Sequence, residues 1–143
     1  MITLTILGMP QGKGRPRFAK HGNFVNTYTP DKTVIYENLV RTEYTRQFKP
    51  LRFADQSLRM EVTAFFPIPK STSKKNAALM RENKLRPAKK PDADNILKII
   101  ADSLNGVAYK DDAQITDATV RRFYSDIPRV EVKISEVTEI EEL

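Results

Sequence analysis

The chain has 143 residues, enough for one compact domain with its own core and too few for two ordinary ones. Its 24 lysines and arginines against 18 aspartates and glutamates leave a formal charge of +6, which suits a polyanionic partner such as nucleic acid or a phosphorylated ligand. The absence of cysteine and the single histidine, His21, exclude a disulfide framework, a thiolate zinc site, a cysteine nucleophile and a histidine pair, so any metal must sit on oxygen ligands.

Residues 2 to 7, ITLTIL, alternate Ile2, Leu4 and Ile6 against Thr3 and Thr5, the period of a half-buried strand. Glycine, proline and arginine punctuate GMPQGKGRPRFAKHGN, which reads as a long basic loop with a short strand, FVNTY, at its exit. The start of that loop imitates a phosphate-binding loop but has only three residues between Gly8 and Gly12, and Gly14 stands where serine or threonine is needed. Lys13, Arg15 and Arg17 alternate, so an extended backbone aims all three to one side, toward phosphates. The alternative is a mobile surface loop. Phe18, Phe24 and Tyr28 interleave with these cations and could stack on unpaired bases, although core packing is favoured for them.

From Pro30 to about Phe48, Val34, Ile35, Leu39, Val40 and Tyr44 recur near helical spacing behind Thr29-Pro30, which suits a helix start. Residues 58 to 66 alternate Leu58, Met60, Val62, Ala64 and Phe66 against Arg59, Glu61 and Thr63, and Pro67 closes the strand. Residues 71 to 84 predict a short, exposed helix burying little beyond Ala77, Ala78 and Leu79 or Met80. After the connector LRPAKKP, Asp92 or Asp94 caps a helix reaching about Asn105, with Gly106 as its stop. Two alternating runs, QITDATVRRFY and PRVEVKISEV, are separated by SDIP and read as a hairpin; the acidic TEIEEL end is expected to fray. The order of elements predicts an α+β (α/β) domain with a small mixed or antiparallel sheet packed against helices. No run approaches a signal peptide or a membrane span, so a soluble, cytoplasmic protein with no membrane contact is expected.

The chemistry gathers around PDADNILKIIADSLNG. Asp92 and Asp94 flank Ala93, so an extended backbone projects both carboxylates to one side. In the helix, Asn95, Lys98, Asp102 and Asn105 form one polar face while Ile96, Leu97, Ile100 and Leu104 pack inward. Together with Asp111-Asp112, these acids could hold one or two Mg²⁺ ions and supply an activated water for phosphodiester cleavage. Lys98 could then face developing negative charge. Each residue also has a structural reading: a helix cap for Asp94, a turn for Asp111-Asp112, and an ion pair with Asp94 or Asp102 for Lys98. An EF-hand beginning at Asp92 is excluded, because its sixth and twelfth positions are Leu97 and Ser103. Lys74-Lys75, Lys89-Lys90 and Arg121-Arg122 either broaden a basic patch or form a solvated face.

The run Asp92-Ala93-Asp94-Asn95-Ile96-Leu97-Lys98, followed by Asp102, Leu104 and Asp111-Asp112-Ala113-Gln114-Ile115, resembles the RusA family of Holliday-junction resolvases of bacteria and their phages. Gly12-Lys13-Gly14-Arg15-Pro16-Arg17-Phe18 is similar to the N-terminal segment of many members. The resemblance implies one RusA-like endonuclease domain over residues 1 to 143, acting as a homodimer in the cytoplasm of a bacterium or phage host. It implies Mg²⁺-dependent paired nicking of four-way DNA junctions in recombination and repair, with Mn²⁺ as a substitute ion and no small-molecule cofactor. Carried over residue by residue, it assigns metal binding to Asp92, Asp94 and Asp112 and a catalytic role to Lys98, leaving Asp111 to tune the site or cap a turn. A longer segment between Thr29 and Lys90 departs from the compact family pattern and admits other branched or flapped DNA substrates. The competing readings are a non-catalytic DNA-binding module of the same fold and a phosphohydrolase for small nucleotides.

Overall fold

The computed structural model describes residues 1 to 138, so the acidic end beyond them lies outside the described residues. Among the described residues six strands and three helices follow in the order β1 (Ile2–Leu7), β2 (Arg17–His21), β3 (Phe24–Tyr28), α1 (Asp31–Phe48), β4 (Leu58–Pro67), α2 (Lys74–Arg81), α3 (Ala93–Ser103), β5 (Ile115–Ser125) and β6 (Arg129–Glu136). A short 3₁₀ turn over Asp112–Gln114 precedes β5. The result is an α+β arrangement: a mixed four-stranded sheet in the order β1-β6-β4-β5, and a separate two-stranded ribbon of β2 and β3.

Period-2 patterning governs the main sheet. Leu4, Ile6, Met60, Ala64, Phe66, Val130, Val132 and Ile134 are fully buried on one face, while Glu61 and Lys133 on the other are exposed. Ile96, Ile99, Ile100 and Leu104 of α3 and Val40 and Tyr44 of α1 join the same core cluster. The interior expected for α3 is thus largely found, with Leu97 only partly covered. The helix ends at Ser103, two residues short of the expected Asn105, and the chain turns away at Gly106 with φ of 74°, a left-handed conformation that glycine adopts without strain.

The hairpin expected from the last two runs does not form. β5 pairs parallel with β4, and β6 inserts between β4 and β1, antiparallel to both, with Val132 opposite Leu4 and Val62. Crossing one intervening strand needs about 10 Å, which the short SDIP link spans. Burial decides the order: the alternate residues of β6 are fully buried in the centre, whereas Thr116 to Thr119 of β5 are exposed at the edge.

Three further expectations are corrected. The buried residues of α1 are Thr33, Tyr36, Glu37, Val40 and Tyr44, so Val34, Ile35 and Leu39 face solvent. Thr33 and Glu37 turn inward because both hold the basic loop, as described below. That loop ends at Pro16, and RFAKH, read as part of it, is a strand registered on FVNTY. Phe18 and Phe24 are 73% and 75% exposed, so they are not core residues, and Tyr28 is also exposed.

Candidate active site

The start of α3 is held from two sides. Arg122 of β5 donates to the carbonyls of Lys89 and Pro91 at 2.7 and 3.2 Å, which fixes the connector entering the helix. On the other side the Lys13 amide donates to the Asn95 carbonyl at 3.0 Å, laying the basic loop against the first turn. Gly12 makes this approach feasible: a Cβ there would lie 2.8 Å from Pro91 Cβ and 3.2 Å from Asn95 Cβ. The loop is also held to α1, where the Gly14 amide donates to Thr33 Oγ1 at 3.0 Å. Between loop and helix lies an open cleft of about 770 Å³, into which Arg15, Lys90, Asp92 and Asn95 all face.

Asp92 occupies the cap position of α3 in an extended conformation, but its side chain makes no capping hydrogen bond. Instead it accepts from Asn95 Nδ2 at 2.6 Å. That bond above all, with lesser help from Asp94 and Lys90, holds the Asp92 carboxyl below the usual carboxylate range. Asp94 lies in the first turn and is exposed. One end of the site therefore presents two adjacent, solvent-facing carboxylates.

The other end is built at the far side of the helix. Asp102 forms ion pairs with Lys13 Nζ at 3.3 Å and Lys98 Nζ at 3.5 Å, and Lys13 Nζ donates to Glu37 at 3.2 Å. Asn105 Oδ1 accepts from the Asp112 amide at 2.8 Å, so the polar helix face read from Asn95, Lys98, Asp102 and Asn105 touches Asp92 through Asn95 and Asp112 through Asn105. Asp111 caps the 3₁₀ turn by accepting from the Ala113 amide at 2.9 Å, and it also stands beside the Asp112 carboxyl. Gln114 completes the box, accepting from the Lys110 and Asp111 amides. Partial burial, with Asp102 and Asp111 crowding alongside, pushes the Asp112 carboxyl above its usual range.

Asp92 with Asp94 and Asp112 with Asp102 and Asp111 thus form two groups, separated by the eight-position rise of α3 from Asp94 to Asp102, or about 12 Å. Among the described residues no set of three or more acidic or histidine side chains is arranged to hold one ion. All the donors on offer are nonetheless hard carboxylate oxygens, the type Mg²⁺ takes in company with water and phosphate oxygens. Of the cations read as DNA contacts, Arg15 and Arg17 are exposed, whereas Lys13 is spent between Glu37 and Asp102. Glu37 and Thr33 were not legible as site residues; only the helical period of α1 bore on them, and it pointed to the wrong face.

The state of Asp112 has a thermodynamic consequence. A carboxyl whose pKa is higher folded than unfolded binds its proton more tightly in the folded state, so stability falls as pH rises from the unfolded value, about 3.9, through the folded one. Asp112→Asn removes that cost. In EDTA it should melt above the parent chain at pH 7, and the gap should close near pH 3, where both forms are protonated. Equal melting temperatures at pH 7 would show that the crowding costs nothing.

The model of the family described as "Endodeoxyribonuclease RusA" matches residues 8 to 135. The chain is also similar to the uncharacterized protein YqaN of Bacillus subtilis (strain 168), at 38% identity over 139 residues, which are 96% of this chain and 97% of that one. Among the described residues no helix is long and apolar enough to cross a membrane.

Proposed function

The chain belongs to the RusA endodeoxyribonuclease family, and from that premise we propose that it is a Mg²⁺-dependent, structure-selective nuclease, a single domain over residues 1 to 143, that resolves four-way DNA junctions in recombination and repair. The observation that carries this reading is the open cleft in which Arg15 and Lys90 stand beside Asp92 at the start of α3. A phosphodiester entering it meets Arg15 from the loop, and Lys90 and Asp92 from the start of α3. An enclosed pocket for a free nucleotide is not what this opening offers.

Asp92 and Asp94 at one end of α3 and Asp112 at the other are the carboxylates that would hold Mg²⁺, or Mn²⁺ in its place, each group completing an ion's shell with water and phosphate oxygens rather than all three sharing one ion. Bound there, the ion would lower the pKa of a water and stabilise charge on the reacting phosphate. The rest falls to the protein. Arg15 and Lys90 bind and orient the phosphodiester, Asn95 fixes the Asp92 carboxylate, and Asp102 restrains Lys98 on the polar face of α3. Lys98 is 61% exposed and its pairing with Asp102 at 3.5 Å is loose, so it can turn toward a phosphate that carries growing negative charge.

Paired nicks on opposed strands call for two sites related by a two-fold axis, which a homodimer supplies. Ile35 and Leu39 on the outer face of α1, adjoining Leu7 on β1, form the exposed apolar surface we assign to that contact. The chain should therefore sediment as a dimer, and Ile35→Asp as a monomer. The deciding experiment incubates a labelled four-way junction, a matched duplex and a nucleotide with the protein in Mg²⁺ or in EDTA. Paired nicks in the junction alone, dependent on Mg²⁺, are expected; junction binding without cleavage would leave a non-catalytic DNA-binding module.

Salt dependence separates the cations of the loop. Arg15→Ala and Arg17→Ala should each weaken junction binding irrespective of sequence and reduce the slope of log K against log salt by about 1. Lys13→Ala should leave that slope unchanged, because its ammonium is already neutralised by Glu37 and Asp102.

A further inference from the structure

The ribbon of β2 and β3 is not explained by the cleft. It is closed by a two-residue turn, Gly22-Asn23, with Gly22 at φ of 61°, the glycine-first pattern of a tight hairpin. Its cross-strand pairs place Arg17 with Tyr28 and His21 with Phe24 on one face, and Phe18 with Thr27 and Lys20 with Val25 on the other. None of these residues is buried: every position of β3 is exposed, and in β2 only Ala19 is even partly covered. A lone two-stranded hairpin is marginally stable in water, and two phenylalanines on one that are each about three-quarters exposed imply a partner that covers them.

Charge identifies the partner. From Gly8 to Pro30 the chain carries Lys13, Arg15, Arg17 and Lys20 and no acidic residue. A second copy of the ribbon would bring like charge against like, whereas a polyanion is attracted. Cations and rings share each face, the arrangement that binds a phosphate backbone while stacking on bases. Bases held in a paired, stacked duplex offer no free ring face, but those at an interruption do. The ribbon is also continuous with the loop bearing Arg15, so a strand seated in the cleft passes directly to it.

We propose that the β2–β3 ribbon is a DNA arm whose exposed rings, Phe24 foremost, stack on unpaired bases at a branch or gap while Arg17 and Lys20 hold the flanking phosphates. This rests on the reading that the chain acts on branched DNA, but not on cleavage. It gives the protein a means of telling interrupted from continuous duplex that is separate from its carboxylates.

The test measures binding in EDTA by fluorescence anisotropy to a four-way junction, a duplex with a short single-stranded gap, and a fully paired duplex. Phe24→Ala should weaken junction and gap binding about tenfold or more, leave duplex binding within about twofold, and be rescued by Phe24→Trp. A 2-aminopurine placed at the gap should change fluorescence on binding the parent chain and not the alanine variant. Because the ring lies outside the core, circular dichroism and melting should not change. Equal loss on all three DNAs, unchanged binding throughout, or a change in sedimentation on Phe24→Ala in place of the binding defect would overturn the proposal; the last would make the ribbon an interface between copies. A chain that discriminates gaps through Phe24 yet never cleaves retains the arm and loses the nuclease reading, and one that cleaves junctions while indifferent to Phe24 does the reverse.

Discussion

Asp92→Asn should reduce Mg²⁺-supported junction cleavage by about 100-fold or more, beyond the 10- to 100-fold typical of losing a residue that only orients a ligand. Folding should not suffer. Asparagine is as good as aspartate at a helix cap, and the Asp92 side chain makes no cap bond to lose. The variant keeps the shape of the side chain beside Asn95 and loses only its charge. Junction binding, measured in Ca²⁺ or EDTA by gel shift, should be retained or slightly tightened, because a carboxylate that faces incoming phosphate has been neutralised. If binding disappeared together with cleavage, Asp92 would be a structural residue and the cleft would not be the active site.

Gly12→Ala should be nearly as damaging without touching any charged group. The new methyl would meet Pro91 Cβ at 2.8 Å and Asn95 Cβ at 3.2 Å, atoms bonded directly to backbone that cannot swing aside. The loop must then withdraw from α3, losing the hydrogen bond from the Lys13 amide to the Asn95 carbonyl and carrying Arg15 away from Asp92. A displacement of about 1 Å at a positioning group can cost about 100-fold in rate. Single-turnover cleavage should therefore fall by roughly that factor, with the sheet and helices intact by circular dichroism. Full activity in this variant would mean that the loop need not touch the helix for catalysis.

The two substitutions differ in how far the sequence anticipates them. Asp92 lies in a run whose residue types alone suggest metal chemistry, and the helix that carries it is legible from Ile96, Ile100 and Leu104 inward and Asn95, Lys98, Asp102 and Asn105 outward. Gly12 in the sequence is one glycine of a flexible-looking loop. Its importance comes from Pro91 and Asn95, about eighty residues further along, and no local pattern encodes that approach.

The same division runs through the fold. Alternation fixes β1, β4 and β6 as strands because side chains two apart share a face, and the helical period, with Ser73 accepting from the Asn76 amide as its cap, fixes α2. Neither period says which strand lies beside which. β5 and β6 adjoin in sequence yet are parted by β4, because the fully apolar face of β6 gains more from the centre of the sheet than from pairing with its neighbour. Nor does the period say which polar residues are drawn inside: Thr33 and Glu37 displace Ile35 and Leu39 from the inner face of α1 because Gly14 and Lys13 need partners there.

By itself, then, the sequence determined the residue types of the site, the elements that bear them and the family, since each depends on spacing within one short stretch. Tertiary structure alone decided that Lys13 is neutralised while Arg15 stays free, that Asp112 is crowded by Asp102 and Asp111, and that Phe18 and Phe24 stand in solvent. These depend on partners brought together through space, and the free energy of such contacts is set by burial and charge at the meeting point, which residues distant in the chain create jointly.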